Sequence, residues 1–328
     1  MKTLVTGANG FTGSHLVSAL LGRGHSAVGF VRATSDLSRL QPYQAGDLTL
    51  AYGDITDQAA LTQAMVGVDW VFHTAAYVEL GVVDAERMAR VNVEGTQAVL
   101  AAAQAAGVSR LLYCSTIGVY GDTQGRVIDE TFARQQQDFS SAYDRTKYEA
   151  QQRVDQAVAA GLHTVSVMPS GIFGPDDPHF GPVLDAFRRG KLKVWAGGDR
   201  VTGIVHVDDL VQGMLLAIEQ GAPGEHFILS ADEMTTREMF ATLSQMTGVP
   251  EPAEVPPPIV RAAGALLDPV GRLLNWQPPI SQERVHYIYD RCVRVDGAKA
   301  KQQLGWQPRS VEDTLQDCIT HRPTVGQA

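Results

Sequence analysis

Residues 6–13 read Thr-Gly-Ala-Asn-Gly-Phe-Thr-Gly, directly after the apolar run Leu4-Val5 and before a segment with Leu16, Val17, Leu20 and Leu21 on one helical face. Glycines at 7, 10 and 13 in such a junction constrain the fold more than any other stretch. They predict a buried strand, a tight turn and a helix packed close against the strand. The same two periodicities recur along the first half. "KTLVTG", "SAVGFVR", "LTLAYGD", "WVFHTAA", "RLLYCST" and "HTVSVMPS" read as buried strands. Residues 91–106 and 143–160 read as helices ending at Gly107 and Gly161. Strands alternating with helices imply βαβ units, hence an α/β protein with a doubly wound parallel sheet.

After Pro169 the pattern changes, with Gly and Pro crowded into 169–182 and 250–258. The expected division is a sheet domain over 1–168 and a smaller mixed α/β C-terminal lobe over 169–328. Residues 204–232 are expected to return to the sheet through a helical run and the strand "EHFILS". The net charge of −9 and the lack of a Lys/Arg cluster argue against nucleic acid or an anionic membrane as partner. Cys114, Cys292 and Cys318 form no CxxC pair, which argues against a disulfide framework or a metal site. The apolar stretch 259–274 is interrupted by Arg261, Asp268-Pro269 and Arg272, too often to span a bilayer. A cytoplasmic setting is the expectation.

A parallel sheet binds ligands beyond the carboxyl ends of its strands, where the strand order reverses. The glycine turn is expected at such an end. Gly7 allows the sharp turn, Gly10 lets backbone approach a pyrophosphate, and Gly13 lets the helix pack on the sheet. The helix N-terminus then offers free N–H groups to phosphates. Asn9, Phe11 and Thr12 complete this cofactor-facing stretch. No Gly-Lys-Ser/Thr follows, so the loop is not of the Walker type. At the end of the second strand stands Arg32, suited to a 2′-phosphate, with Arg39 as a helper. NADP(H) is therefore favoured, while the nearby Asp36 leaves NAD(H) open. Asp54 and Ile55 of "GDITD" suit an adenine, and Thr74, Ala75 and Ala76 let the chain pass close to riboses. His73 reads as a packed residue.

"SAYDRTKYEA" places Tyr143 and Lys147 four apart, on one helical face. An ammonium beside a phenol favours the phenolate and would lower the Tyr pKa toward neutrality. The strand "LLYCST" ends in Ser115-Thr116, whose hydroxyls point toward the same crevice. Thr116 can bond a substrate carbonyl while Tyr143 protonates it.

With these motifs in this order, the chain resembles the extended short-chain dehydrogenase/reductases, the NAD(P)-dependent epimerase/dehydratase superfamily, and within it the dihydroflavonol 4-reductase-like branch. "TGANGFTG", "GDITD", "HTAA", "NVEGT", "STIGVYG", "YDRTK", "MPSGIFGP", "VHVDDLV" and "KAKQQLGWQP" carry the resemblance over nearly the whole length. It implies a Rossmann domain with a substrate lobe. It also implies Thr116, Tyr143 and Lys147 as catalytic groups, Pro169 and Ile172 as contacts of the nicotinamide amide, and a homodimer through the helices after strands four and five. The implied activity is hydride transfer between nicotinamide and a carbonyl or alcohol. A nucleotide-sugar epimerase or dehydratase with tightly held NAD stays open, with Arg200, Arg291 and Arg294 as diphosphate clamps. A dinucleotide-binding sensor without turnover is the third reading. Tyr77, Val78, His179, Phe180 and Trp195 are expected near the small-molecule substrate.

Overall fold

A computed structural model describes every residue except Ala45, Asn275 and 322–328. Seven parallel strands form the main sheet: β1 (Lys2–Thr6), β2 (Ser26–Val31), β3 (Leu48–Tyr52), β4 (Trp70–His73), β5 (Arg110–Cys114), β6 (Thr164–Pro169) and β7 (His226–Leu229). Their order across the sheet is β7-β6-β5-β4-β1-β2-β3. The chain steps outward from β1 to β3, then returns to pair β4 with the other side of β1. The strand expected to return late does so as β7, in parallel register with β6.

Successive strand residues point to opposite faces, and both faces are covered. Val5, Phe72 and Leu112 meet α1 (Phe11–Gly22) and α4 (Val207–Gln220) through Leu16, Leu20, Leu210 and Met214. The next residue back on each strand, Leu4, Val71 and Leu111, belongs to the other core. There α2 (Gly95–Ala106) and α3 (Ala142–Ala159) contribute Val99, Ala103, Ala150 and Val154. Each fully buried aliphatic side chain of this kind contributes roughly 1.5–3 kcal/mol. The continuous apolar runs of the sequence thus reflect strands buried on both faces.

The second lobe has a mixed three-stranded sheet of Gly171–Phe173, Val201–His206 and Asp232–Thr235. Its core joins Phe173, Leu184, Phe187, Ile204, Phe240 and Leu315. Phe180 packs on Phe173 at 4.8 Å and Trp195 on Phe240 at 5.1 Å, which makes both part of this core. Both stay partly exposed while packing against that core. α5 (Gln282–Tyr289) opens on a Ser281 side-chain cap. The segment after it runs back along the first domain, with Arg294–Val295 paired to Val127–Ile128.

The glycine turn is built as its spacing predicts. Gly7 has φ +67°, and a Cβ there would lie 2.9 Å from the Ala75 backbone. A Cβ on Gly13 would stand 2.1 Å from the Gly7 carbonyl oxygen. Gly13→Ala is expected to lower stability by about 1–3 kcal/mol through forced displacement of α1. Urea denaturation measures this, and an unchanged midpoint would contradict the close packing of α1 on the turn.

Candidate active site

The carboxyl ends of β1, β2, β3 and β4 surround a cleft of about 370 Å³. Ten of the expected site residues line it: Gly7, Asn9, Gly10, Arg32, Asp54, Ile55, Thr74, Ala75, Ala76 and Tyr77. A Cβ on Gly10 would meet only the Gly7 carbonyl oxygen, at 3.2 Å, so this glycine keeps its outer side open. No side chain caps the N-terminus of α1, whose first N–H groups stay free for an anion. This cradle fits the pyrophosphate of a dinucleotide.

Phe30, Ser35, Gly53, Arg87, Arg90 and Val91 line the same cleft and were not foreseen. Arg87 and Arg90 follow the Asp84-capped turn before "NVEGT", and nothing in their local sequence signals a cleft position. Together with Arg32 they set three guanidiniums against one lining carboxylate, Asp54. Bonds from the Thr56 side chain and backbone hold the Asp54 carboxyl below its ordinary value, with help from Arg32 and Arg90.

Several expected contributions are redirected. Asp36 turns its carboxylate onto Ser38, accepting from its N–H at 2.9 Å and its hydroxyl at 3.0 Å. Arg39 donates to the Asp176 carbonyl at 2.6 Å, which ties it to the second lobe. Phe11 packs edge-on against His15 at 5.4 Å and, with Thr12 and Gly13, forms the first residues of α1. Pro169 closes β6, and Ile172 lies in the short strand beyond it, outside the lining of the cleft. Tyr77 donates its hydroxyl to Glu79 at 2.8 Å and lines the same cleft. His73 is buried between Thr6 and Thr96, bonded at 2.8 and 2.9 Å, and burial pushes it down to about 3. It is a structural residue, as its position in mid-sheet suggested.

Thr116, Tyr143 and Lys147 meet at the end of β5. Thr116 caps the turn Ile117–Tyr120, its hydroxyl accepting from the Gly118 N–H at 3.1 Å. That leaves its own proton to donate, within bonding reach of the Tyr143 phenol. Ser141 caps α3 and fixes Tyr143 in the helix's first turn. One turn on, Lys147 donates to the Cys114 carbonyl at 2.8 Å and lies 4.3 Å from the centre of the Tyr113 ring. Asn92, not singled out in the sequence, donates to Thr146 at 3.0 Å and accepts from the Tyr77 N–H at 2.7 Å. It clamps the loop after β4 to α3.

The titration behaviour departs from the expectation built on the Tyr–Lys spacing. Burial pushes the Tyr143 phenol above its ordinary value, and the neighbouring Cys114, Asp144 and Tyr287 add to this. Burial also brings Lys147 down to about 8. The four-residue spacing sets the two groups on one helical face, but desolvation is the largest influence on each.

Of the three candidate clamps, Arg294 is paired with Glu233, and Arg291 lies 3.2 Å from buried Asp144. Arg200 stacks at 4.1 Å on Tyr287.

The family model of the NAD dependent epimerase/dehydratase family matches residues 3–230. A 4-hydroxy-2-methyl-3-oxo-4-farnesyl-3,4-dihydroquinoline-1-oxide ketoreductase of Stigmatella aurantiaca is 33% identical over 100% of this chain and 98% of its own length. Sterol demethylase protein B of Methylococcus capsulatus is 31% identical over 97% of each chain. The crystal structure of gox2253 superposes with a TM-score of 0.82 at 32% identity, covering 97% of this chain and 96% of the other. Fold, cleft and matches agree, and the chain belongs to the NAD-dependent epimerase/dehydratase family as an NAD(P)-dependent oxidoreductase of the extended short-chain dehydrogenase/reductase type.

Proposed function

We propose that this enzyme interconverts a ketone or aldehyde and its alcohol with NADP(H) as the preferred cofactor. The observation that carries the reading is the meeting of the Thr116 hydroxyl, the Tyr143 phenol and the Lys147 ammonium at the end of β5, beside a cleft suited to a dinucleotide. Bound nicotinamide supplies or accepts the hydride. Thr116 donates to the substrate oxygen. Tyr143 delivers a proton to that oxygen as negative charge builds on it. The Lys147 ammonium steadies the phenolate left behind.

Burial holds the Tyr143 phenol above its ordinary value, so the free enzyme keeps the proton that this reading has Tyr143 deliver. The lining arginines support NADP(H): Arg32, with Arg87 and Arg90 nearby, offers positive charge where a 2′-phosphate would lie. The names of the two relatives, a farnesylated quinoline oxide ketoreductase and a sterol demethylase component, support a lipophilic cyclic ketone over a sugar diphosphate. The engagement of Arg291 and Arg294 by Asp144 and Glu233 supports the same choice.

Fluorescence titration with NADPH and NADH, followed by a screen of cyclic ketones, aldehydes and nucleotide sugars, tests the reading. Turnover of nucleotide sugars alone would overturn it. Tyr143→Phe should lower kcat by at least about a hundredfold and leave NADPH affinity within about twofold. Steady-state kinetics with retained activity would refute the acid role. Arg32→Ala should weaken NADPH by about tenfold and leave NADH nearly unchanged. Equal losses on both cofactors would remove Arg32 from 2′-phosphate recognition.

A further inference from the structure

Immediately after Tyr143 stands a carboxylate with almost no access to water. The Asp144 side chain is 2% exposed and its partner Arg291 is 7% exposed. Arg291 Nη2 donates to Asp144 Oδ1 at 3.3 Å, and Nε lies 3.2 Å from Oδ2. Ser140 donates its hydroxyl to the same carboxylate. A buried ion pair of this kind adds little net stability, yet losing one partner leaves an uncompensated charge. Its position therefore calls for another explanation.

Three segments converge on it. A Cβ on Gly118 would stand 2.5 Å from Asp144 Oδ1 and 3.1 Å from Arg291 Nη2, so the pair rests on the turn capped by Thr116. Asp144 belongs to the first turn of α3 beside Tyr143. Arg291 follows α5, and its guanidinium lies 4.7 Å from the centre of the Tyr287 ring. The chain just beyond is fixed in turn, with the Cys292 N–H donating to Asp122 at 3.0 Å and its carbonyl accepting from Thr123.

We propose that the Arg291–Asp144 pair is a positioning device that joins the segment after α5 to the Thr116 turn and α3, and balances the charge facing the Tyr143 phenol. This rests on Tyr143 being the proton donor. Tyr143 is faced by Cys114 and Tyr113 of β5, Thr116, Asp144 and Tyr287. Lys147 stands one turn along its own helix. Asp144 is faced by Arg291, by Arg134 of the preceding loop and by Glu283 of α5. Glu283 is held up to about 7 by burial, so it also titrates near neutrality.

The sign of each substitution follows. Arg291→Met leaves the Asp144 charge unbalanced and disfavours the phenolate. Asp144→Asn leaves the Arg291 charge unbalanced and favours it. Oxidised nicotinamide is positive, so NADP⁺ affinity should rise with pH as Tyr143 ionises in the complex. The test is NADP⁺ binding from about pH 6 to about pH 10, with Tyr143→Phe as the reference that subtracts Glu283 and every other group.

The pH at which the Tyr143-dependent rise sets in should move up by about one unit in Arg291→Met and down by about one in Asp144→Asn. It should stay near the native value in Arg291→Lys. Shifts in the same direction, no shifts, or a pH profile in Tyr143→Phe identical to the native one would overturn the proposal. If Arg291→Met does not fold, the other two decide: a downward shift in Asp144→Asn with none in Arg291→Lys supports it, and any other pattern overturns it. This readout needs no substrate. Absent carbonyl turnover with opposite shifts would therefore sink the reductase reading alone, and turnover without them would sink this one alone.

Discussion

The bond from the Lys147 ammonium to the Cys114 carbonyl is the joint on which the site depends. A buried ammonium is costly unless its donors are engaged. Here one donor meets the last carbonyl of β5, and the charge rests against the Tyr113 ring. That contact fixes the rotation of α3 about its axis relative to the sheet. Once the rotation is fixed, Tyr143, one turn earlier, lies toward the turn that follows β5, which Thr116 caps. Asn92 secures the same helix from the other side through Thr146. Tyr143 thus owes its place to bonds made by its neighbours.

The sheet supplies the complementary half. Because β1 is flanked by β2 on one side and β4 on the other, the loops leaving β1 and β4 diverge at their carboxyl ends. The cleft is the space that this divergence leaves open. Gly7 lies directly against Ala75 at its floor, and a side chain at Gly7 would displace the loop after β4. Tight backbone packing below and an open edge at Gly10 above are two consequences of one glycine spacing.

What the sequence disclosed divides along the range of the interactions involved. Strand and helix succession, the glycine turn and the Tyr143–Lys147 face rest on contacts within a few residues, and these were legible. The doubly wound parallel sheet followed from the alternation of strands with helices and from the resemblance. Contacts between distant segments were not legible. Nothing near Arg39 announces that its guanidinium meets the Asp176 carbonyl, and nothing near Arg87 and Arg90 announces a cleft. Phe180 and Trp195 were read as pocket residues because aromatic side chains in Gly/Pro-rich loops suit either role, and nothing near them announces their packing against Phe173 and Phe240. The direction of the Tyr143 shift was misjudged for a related reason. Spacing reveals a charge neighbour, but desolvation is set by everything that covers the group.

That last point bears on how the site works. A Tyr–Lys pair in water would hold the phenol near its ordinary acidity, and the lysine would remain fully charged. Burying both moves each toward its neutral form, the phenol upward and the ammonium down to about 8. At neutral pH the phenol is then neutral while the lysine stays mostly charged, its ammonium resting against the Cys114 carbonyl and the Tyr113 ring. The phenolate becomes favourable only when positive charge enters beside it, and an oxidised nicotinamide carries such a charge. On the proposed reading, proton delivery from Tyr143 would be favoured as positive charge develops on a bound nicotinamide. A tyrosine made acidic in the free enzyme would lack that dependence.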